Sequence, residues 1–98
     1  MTKINLSGKI ALVTGGNQGI GAGICRHLAA CGAEVFINYY EHQEKAEALA
    51  REIQETYRIK TAIGQADVAN AAQVKALFER MDETIGPIDV LINNAGIG

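Results

Sequence analysis

The 98-residue sequence predicts an α/β fold, a doubly wound parallel sheet built as βαβαβαβ, and three observations predict it. Short apolar runs at 10–14, 33–38, 61–66 and 88–92 are separated by stretches of helical periodicity long enough to serve as crossovers. The first run breaks into glycines at 15, 16, 19, 21 and 23 where the periodicity turns helical. The first and fourth runs end in the most polar, glycine-bearing segments, Thr14-Gly15-Gly16 and Asn93-Asn94-Ala95-Gly96. Buried strands joined through helices call for right-handed crossovers and helices on both faces of the sheet. The expected strand order is 3-2-1-4, the Rossmann-like arrangement, and ligands bind outside the carboxyl ends of the strands where that order reverses, here between strands 1 and 4.

Each element has its own reason. Ile10-Ala11-Leu12-Val13-Thr14 is an unbroken apolar run, as a strand covered on both faces requires. The helix expected over 20–31 sets Ile20, Ile24 and Leu28 on one face, with Gly32 as its C-cap and Arg26 and His27 toward solvent. Residues 33–38 form the second strand. The helix over 41–57 carries Ala46, Leu49, Ala50, Ile53 and Tyr57 as its apolar stripe, and its Glu, Lys and Arg residues form a solvated face. Residues 61–66 form the third strand, with Gly64 inside it. Asn70 is the N-cap of the third helix, with Gln73 three residues on in a near capping box. Val74, Leu77, Phe78, Met81 and Ile85 make that helix amphipathic, Gly86-Pro87 stops it, and 88–92 is the fourth strand.

Strand, glycine turn and helix together make an anion site. The turn leaves backbone N–H groups pointing out of the helix start, at the positive end of the helix dipole. Gly15 lets the chain reverse, Gly19 removes a Cβ where a phosphate approaches, and Gly21 lets the helix pack close to the strand. The strict G-x-G-x-x-G spacing is absent, since Ile24 follows Gly19 and Gly21; Thr14-Gly15-x-x-x-Gly19-x-Gly21 stands instead. The ligand suited to such a turn is the pyrophosphate of a dinucleotide, and the plain alternative is a tight βα turn.

Composition narrows the classes. Hydrophobic content is 48% and net charge −2, so nothing points to nucleic acid or an acidic membrane as partner. No apolar run approaches the ~20 residues of a membrane helix, and MTKINLSGK lacks the apolar core of a signal peptide. A cytoplasmic protein is expected. Cys25 and Cys31 lie six residues apart on one helix, a rise of about 9 Å, beyond the ~7 Å Cα limit for a disulfide. Their spacing is not a metal pattern either, so both are expected to be reduced packing residues and no metal is expected.

TGGNQGIG at 14–21, Asp67-Val68 after the third strand and Asn93-Asn94-Ala95-Gly96 after the fourth together resemble the short-chain dehydrogenase/reductase family, in order and in spacing, over the whole chain. Within it, GKIALVTGG, VFINYYEHQEKAEAL and IDVLINNAGI look like the branch that holds 3-oxoacyl-acyl-carrier-protein reductases and bacterial glucose 1-dehydrogenases. The resemblance implies an oxidoreductase exchanging hydride between a nicotinamide dinucleotide and a carbonyl or alcohol. It implies that backbone groups at Gly15, Asn17, Gln18, Gly19 and Ile20 hold the pyrophosphate and adenosine ribose. Asp67 would accept the adenine amino group and the Val68 N–H would address the ring. Asn94, Ala95 and Gly96 would contact the adenosine and nicotinamide side, while Thr14 and Asn93 tie strands 1 and 4. By themselves, Asp67-Val68 reads as an Asx-type turn and Asn93-Asn94 as a turn.

Cofactor choice rests on the end of the second strand. A carboxylate there grips the 2′-hydroxyl of NAD, whereas a nearby Arg accommodates the 2′-phosphate of NADP. This chain has Asn38-Tyr39-Tyr40, with Tyr39 placed at the adenosine end, Glu34 at the wrong end of the strand and Glu41 too late. The basic residue often carried in the glycine loop by NADP-preferring relatives is Gln18 here, and no Arg follows Tyr39. The expectation is NADP(H), with NAD as the alternative; His42 could offer a donor to the phosphate or simply face solvent.

The family's catalytic Ser and Tyr-x-x-x-Lys pair do not occur. Tyr39, Tyr40 and Tyr57 are followed four residues on by Gln43, Glu44 and Thr61, so no catalytic residue is transferred and the chain alone is expected to have no turnover. Residues 1–98 are expected to be the N-terminal dinucleotide-binding part of a longer domain. Strand 4 would then present an open edge, with Leu91 and Ile92 poorly buried, until a C-terminal half or a second copy covers it. The competing expectations are a free-standing nucleotide-binding module and an interaction module without catalysis.

Overall fold

The computed structural model describes residues 4–95. Strand β1 (Ile10–Thr14) leads through the glycine turn into helix α1 (Gly19–Ala30), then β2 (Glu34–Tyr39), α2 (Gln43–Tyr57), β3 (Thr61–Gln65), α3 (Ala71–Thr84) and β4 (Val90–Asn93). The four strands are parallel in the order β3-β2-β1-β4, as expected. In register, Leu12 stands beside Phe36 and Leu91, and Val13 beside Ile37 and Ile92.

The sheet is covered on both faces because its strands alternate between two cores. Val13, Val35 and Ile37 pack with Ala22, Cys25, Ala46, Leu49 and Ile53 on the α1–α2 side. Leu12 and Phe36 pack with Leu77, Met81 and Ile85 on the α3 side. The stripe expected for α2 is the one buried, and Gly64 in β3 has a packing reason: a Cβ there would lie 2.7 Å from the Phe36 ring and 2.8 Å from Leu77.

Helix α1 corrects the sequence reading. Its buried face is Gly21, Ala22, Cys25 and Ala29, whereas Ile20 is 70% exposed and Ile24 and Leu28 pack only at the margin. Small side chains win the central face because the helix sits too close to the strand for larger ones; a Cβ on Gly21 would lie 2.3 Å from the Gly15 carbonyl oxygen. Gly32 ends α1 with φ +98°. Its N–H donates to Ala29 O and the Ala33 N–H to Leu28 O, the paired bonds of a Schellman motif.

At α3 the Asn70 side chain accepts the Gln73 N–H at 3.1 Å, as an N-cap should. Gln73 then reaches past the cap, its Oε1 accepting the Asp67 N–H at 2.8 Å. Asp89, unremarked in the sequence, anchors the start of β4: its carboxylate accepts the Ile10 N–H at 2.9 Å. Strand β4 lies at the sheet edge, and Leu91 is 54% exposed.

Candidate functional site

The ends of β1 and β4 are locked by one hydroxyl. Thr14 Oγ1 accepts the N–H groups of Asn94 (2.9 Å) and Ala95 (3.1 Å) and donates to Asn93 Oδ1 at 3.2 Å. Asn94 Nδ2 donates to the Gly15 carbonyl at 3.1 Å. The tie expected from Thr14 and Asn93 therefore exists, with Asn94 as its second strut.

The glycine turn is held from the opposite side by β2. Asn38, 1% exposed, accepts the Gly15 N–H on Oδ1 at 3.1 Å and donates from Nδ2 to the carbonyls of Gly64 (3.2 Å) and Ala66 (3.3 Å). Its own carbonyl accepts the Gly16 N–H at 2.9 Å. The N–H groups of Gly15 and Gly16 are thus consumed inside the protein. Gly15 turns the chain with φ +61°, its N–H already bonded to Asn38. Asn17 is likewise occupied, its Nδ2 donating to the carbonyls of Glu41 (2.8 Å) and His42 (3.1 Å).

What remains open is the start of α1. Gln18 caps the helix in extended conformation without a side-chain capping bond. The N–H groups of Gln18, Gly19 and Ile20 meet no acceptor among the described residues. A Cβ on Gly19 would meet nothing within 4 Å, and its φ is +57°, so the glycine is needed for backbone geometry and leaves open space beside the free donors. No acidic residue lies in the first turn of α1, so the dipole's positive end is unneutralised.

These donors open on a crevice of about 380 Å³. One wall comes from the β1–α1 turn (Gly15, Asn17, Gln18, Ile20), another from Asn94 and Ala95 after β4, and the third from Tyr40, Glu41 and His42. Six of the residues singled out in the sequence therefore meet in one place. Gly19 stands on the adjoining groove between α1 and α2. Val68 reaches the strand ends from the α3 side, where it shares a hollow with Thr14, Phe78, Leu91 and Asn93. Asp67 makes an Asx turn, its carboxylate accepting the Ala69 N–H at 2.9 Å. Gly96 lies outside the described residues.

Tyr39 does not line the crevice. It alternates in step with Val35 and Ile37 and is buried in the α1–α2 core, while Tyr40, 58% exposed, takes the rim. Glu41 also differs from expectation: α2 begins at Gln43, so Glu41 stays in the turn and lines the crevice. His42, with φ +67°, is the N-cap of α2.

Behind the turn, the Cys25 thiol sits 3.5 Å from the Gly16 carbonyl oxygen. Burial pushes its pKa up to about 12, against a smaller opposing pull from Arg26. Both cysteines are free thiols. Among the described residues no three His, Cys, Asp or Glu side chains gather as a metal site, and no helix is long and apolar enough to cross a membrane.

A parallel sheet ordered 3-2-1-4, with helices on both faces and an open helix start at its switch point, defines a Rossmann-like α/β protein. The model of the short chain dehydrogenase family matches residues 9–98, and the chain belongs to that family. It is 41% identical over 96 residues to a hydroxynaphthalene reductase of Aspergillus fumigatus, covering 98% of this chain and 35% of that one. It is 47% identical over 89 residues to a 3-oxoacyl-acyl-carrier-protein reductase of Staphylococcus aureus, covering 91% of this chain and 36% of the relative. The solved L-sorbose reductase of Gluconobacter frateurii, complexed with NADPH and L-sorbose, superposes with a TM-score of 0.90 at 30% identity, over 97% of this chain and 36% of that one. The chain thus spans little more than a third of the length of these relatives.

Proposed function

We propose that residues 1–98 are the N-terminal dinucleotide-binding part of a short-chain oxidoreductase that moves hydride between NADP(H) and a carbonyl or alcohol substrate, of the 3-oxoacyl-acyl-carrier-protein reductase kind. The observation that carries this is the row of free N–H donors at Gln18, Gly19 and Ile20, opening at the helix start on a crevice walled by the ends of β1 and β4. In this reading those three amides take the pyrophosphate. Gly15 and Asn17 shape the turn, and Asn94, Ala95 and Gly96 flank the sugar and nicotinamide. Asp67 and Val68 receive the adenine, and Tyr39 supports that end from the core while Tyr40 meets solvent.

Residues 1–98 carry no Ser and Tyr-x-x-x-Lys set, so hydride transfer draws its acid–base groups from another segment. The exposed β4 edge and Leu91 support a covering partner, either a C-terminal half or a second copy. A cytoplasmic location goes with this reading. Glu41 on the crevice wall favours a second reading of the cofactor, since a carboxylate there can grip the 2′-hydroxyl of NAD.

Calorimetric titration with NADPH and NADH tests the reading. Binding of at least one coenzyme is expected, and Gly19→Asp should abolish it by filling the phosphate path with a like charge. Binding untouched by that substitution sinks the pyrophosphate site. Consumption of NADPH by the chain alone with carbonyl substrates, well above a blank, refutes the absence of turnover.

A further inference from the structure

We infer that Lys45, in the first turn of α2, is the residue that reads a 2′-phosphate and so sets the preference for NADP(H) over NAD(H); this rests on the dinucleotide reading above. The sequence places no cation at the adenosine end, with Gln18 in the glycine turn and no Arg after Tyr39. The tertiary structure supplies one from a different element. Lys45 Nζ donates to Gln18 Oε1 at 2.9 Å. Gln18 is a wall shared by the crevice and the groove between α1 and α2, and Lys45 lines that groove, so its ammonium stands on the Gln18 side of the crevice.

The neighbouring charges single Lys45 out. Arg26, the other cation of the groove, is engaged by Glu52 through two bonds of 2.7 and 3.1 Å. Lys45 has no carboxylate partner among the described residues, and its bond to Gln18 leaves donor capacity on the ammonium. Glu41 lines the crevice from the turn that leads into α2, and Glu44, next to Lys45, lies 3.5 Å from His42 Nδ1. A coenzyme bearing a second phosphate finds its counter-charge in the Lys45 ammonium, without which the carboxylates of the same segment would only repel it. A coenzyme with a free 2′-hydroxyl gains nothing from the ammonium. Differential contact of this kind is what creates preference.

Lys45 lies on the exposed face of its helix, so substitution leaves the core intact. The test is calorimetric titration of the chain and its Lys45→Ala and Lys45→Arg variants with NADP+, NAD+ and 2′-AMP, with circular dichroism as the folding control. Lys45→Ala is expected to weaken NADP+ and 2′-AMP about tenfold while NAD+ stays within about twofold, and Lys45→Arg is expected to keep most of the preference. The NADP+ to NAD+ ratio of the unaltered chain should shrink as salt is raised, and that of Lys45→Ala should not. An unchanged ratio in Lys45→Ala, or an equal loss for both coenzymes, overturns the assignment. Wild-type binding of NAD+ as tight as NADP+ overturns it too and leaves the dinucleotide site standing. Failure of every ligand to bind the folded wild-type chain defeats the dinucleotide reading, and this inference with it.

Discussion

Asn38 Oδ1 accepts the Gly15 N–H at 3.1 Å, so the glycine turn is pinned to the end of β2 by a side chain that is 1% exposed. The same amide donates to Gly64 on the next strand and to Ala66 just past its end. One buried side chain therefore aligns three strand ends around the crevice. It also leaves the Gly15 N–H occupied within the protein.

Replacing Asn38 by Ala strands the Gly15 N–H and removes a donor from two carbonyls. Unsatisfied buried polar groups cost about 1–3 kcal/mol each when no water reaches them, so Asn38→Ala should lower unfolding stability by about 2–3 kcal/mol. Urea unfolding followed by circular dichroism measures it. A loss below about 0.5 kcal/mol would show that the amide does not hold the turn.

Two glycines of α1 should respond in opposite directions. A Cβ at Gly21 would press on backbone atoms, the Gly15 oxygen at 2.3 Å and Gly16 Cα at 2.9 Å, and on Asn94 Nδ2 at 2.7 Å. Gly21→Ala should cost about 1–3 kcal/mol as an overpacking change and displace the turn that carries the free donors. Gly23 is exposed and a Cβ there meets nothing within 4 Å. Gly23→Ala should raise stability by about 0.5–1 kcal/mol, the helix-propensity gain. Thermal melts of the two variants check the contrast, and equal signs would contradict the close approach of α1 to β1.

Burial raises the Cys25 thiol pKa to about 12, so below that range it is an un-ionised, slow nucleophile. Because the folded value lies above the unfolded one, its favourable burial is complete below about pH 9 and is lost as pH rises toward 12. Native-state alkylation with iodoacetamide at pH 8 should label the partly exposed Cys31 and spare Cys25 until denaturant is added. Mass spectrometry of the labelled peptides reads the outcome; equal labelling would show that the space behind the turn is open.

The Arg26–Glu52 bridge joins α1 to α2 across the groove at 2.7 Å, with both side chains nearly half exposed. The Glu52 carboxyl is held below its usual range, first by the hydrogen bond from Arg26 and then by its charge. The bridge therefore contributes above the ordinary carboxylate pKa and fades as pH falls through the lowered value. Exposure and salt limit its worth to about 0.2–1 kcal/mol. Glu52→Gln should produce a loss of that size at pH 7, shrinking at pH 3 and in 1 M salt. A salt-independent loss well above 1 kcal/mol would contradict a solvated bridge.

The fold is legible in the sequence because its signals are local and repeated. Apolar runs of strand length, Gly32 and Gly86-Pro87 at helix ends, and the Asn70 cap each depend on neighbours within a few residues. The face of α1 is not legible in the same way, because periodicity ranks Ile20, Ile24 and Leu28 above Gly21, Ala22 and Ala29. The distance from helix to strand reverses that ranking. Tyr39 and Tyr40 are separable in principle, since alternation puts Tyr39 with Val35 and Ile37. Asn38 also carries a signal, a polar residue within a buried strand that must find partners, but its two partner segments, one at Gly15 and one holding Gly64 and Ala66, are distant in sequence.

By itself the sequence determined the order of elements, the parallel 3-2-1-4 sheet, and the meeting of Thr14-Gly15 with Asn93-Asn94 at one end of it. Those follow from hydrophobic period, chain reversal and the handedness of crossovers, which act along short stretches. Only the tertiary structure decided which amides of the turn are left free, which of two adjacent tyrosines faces the crevice, and that Lys45 stands beside Gln18. Hydrogen bonds saturate and charges act through space, so a donor's availability depends on every group folded within its reach.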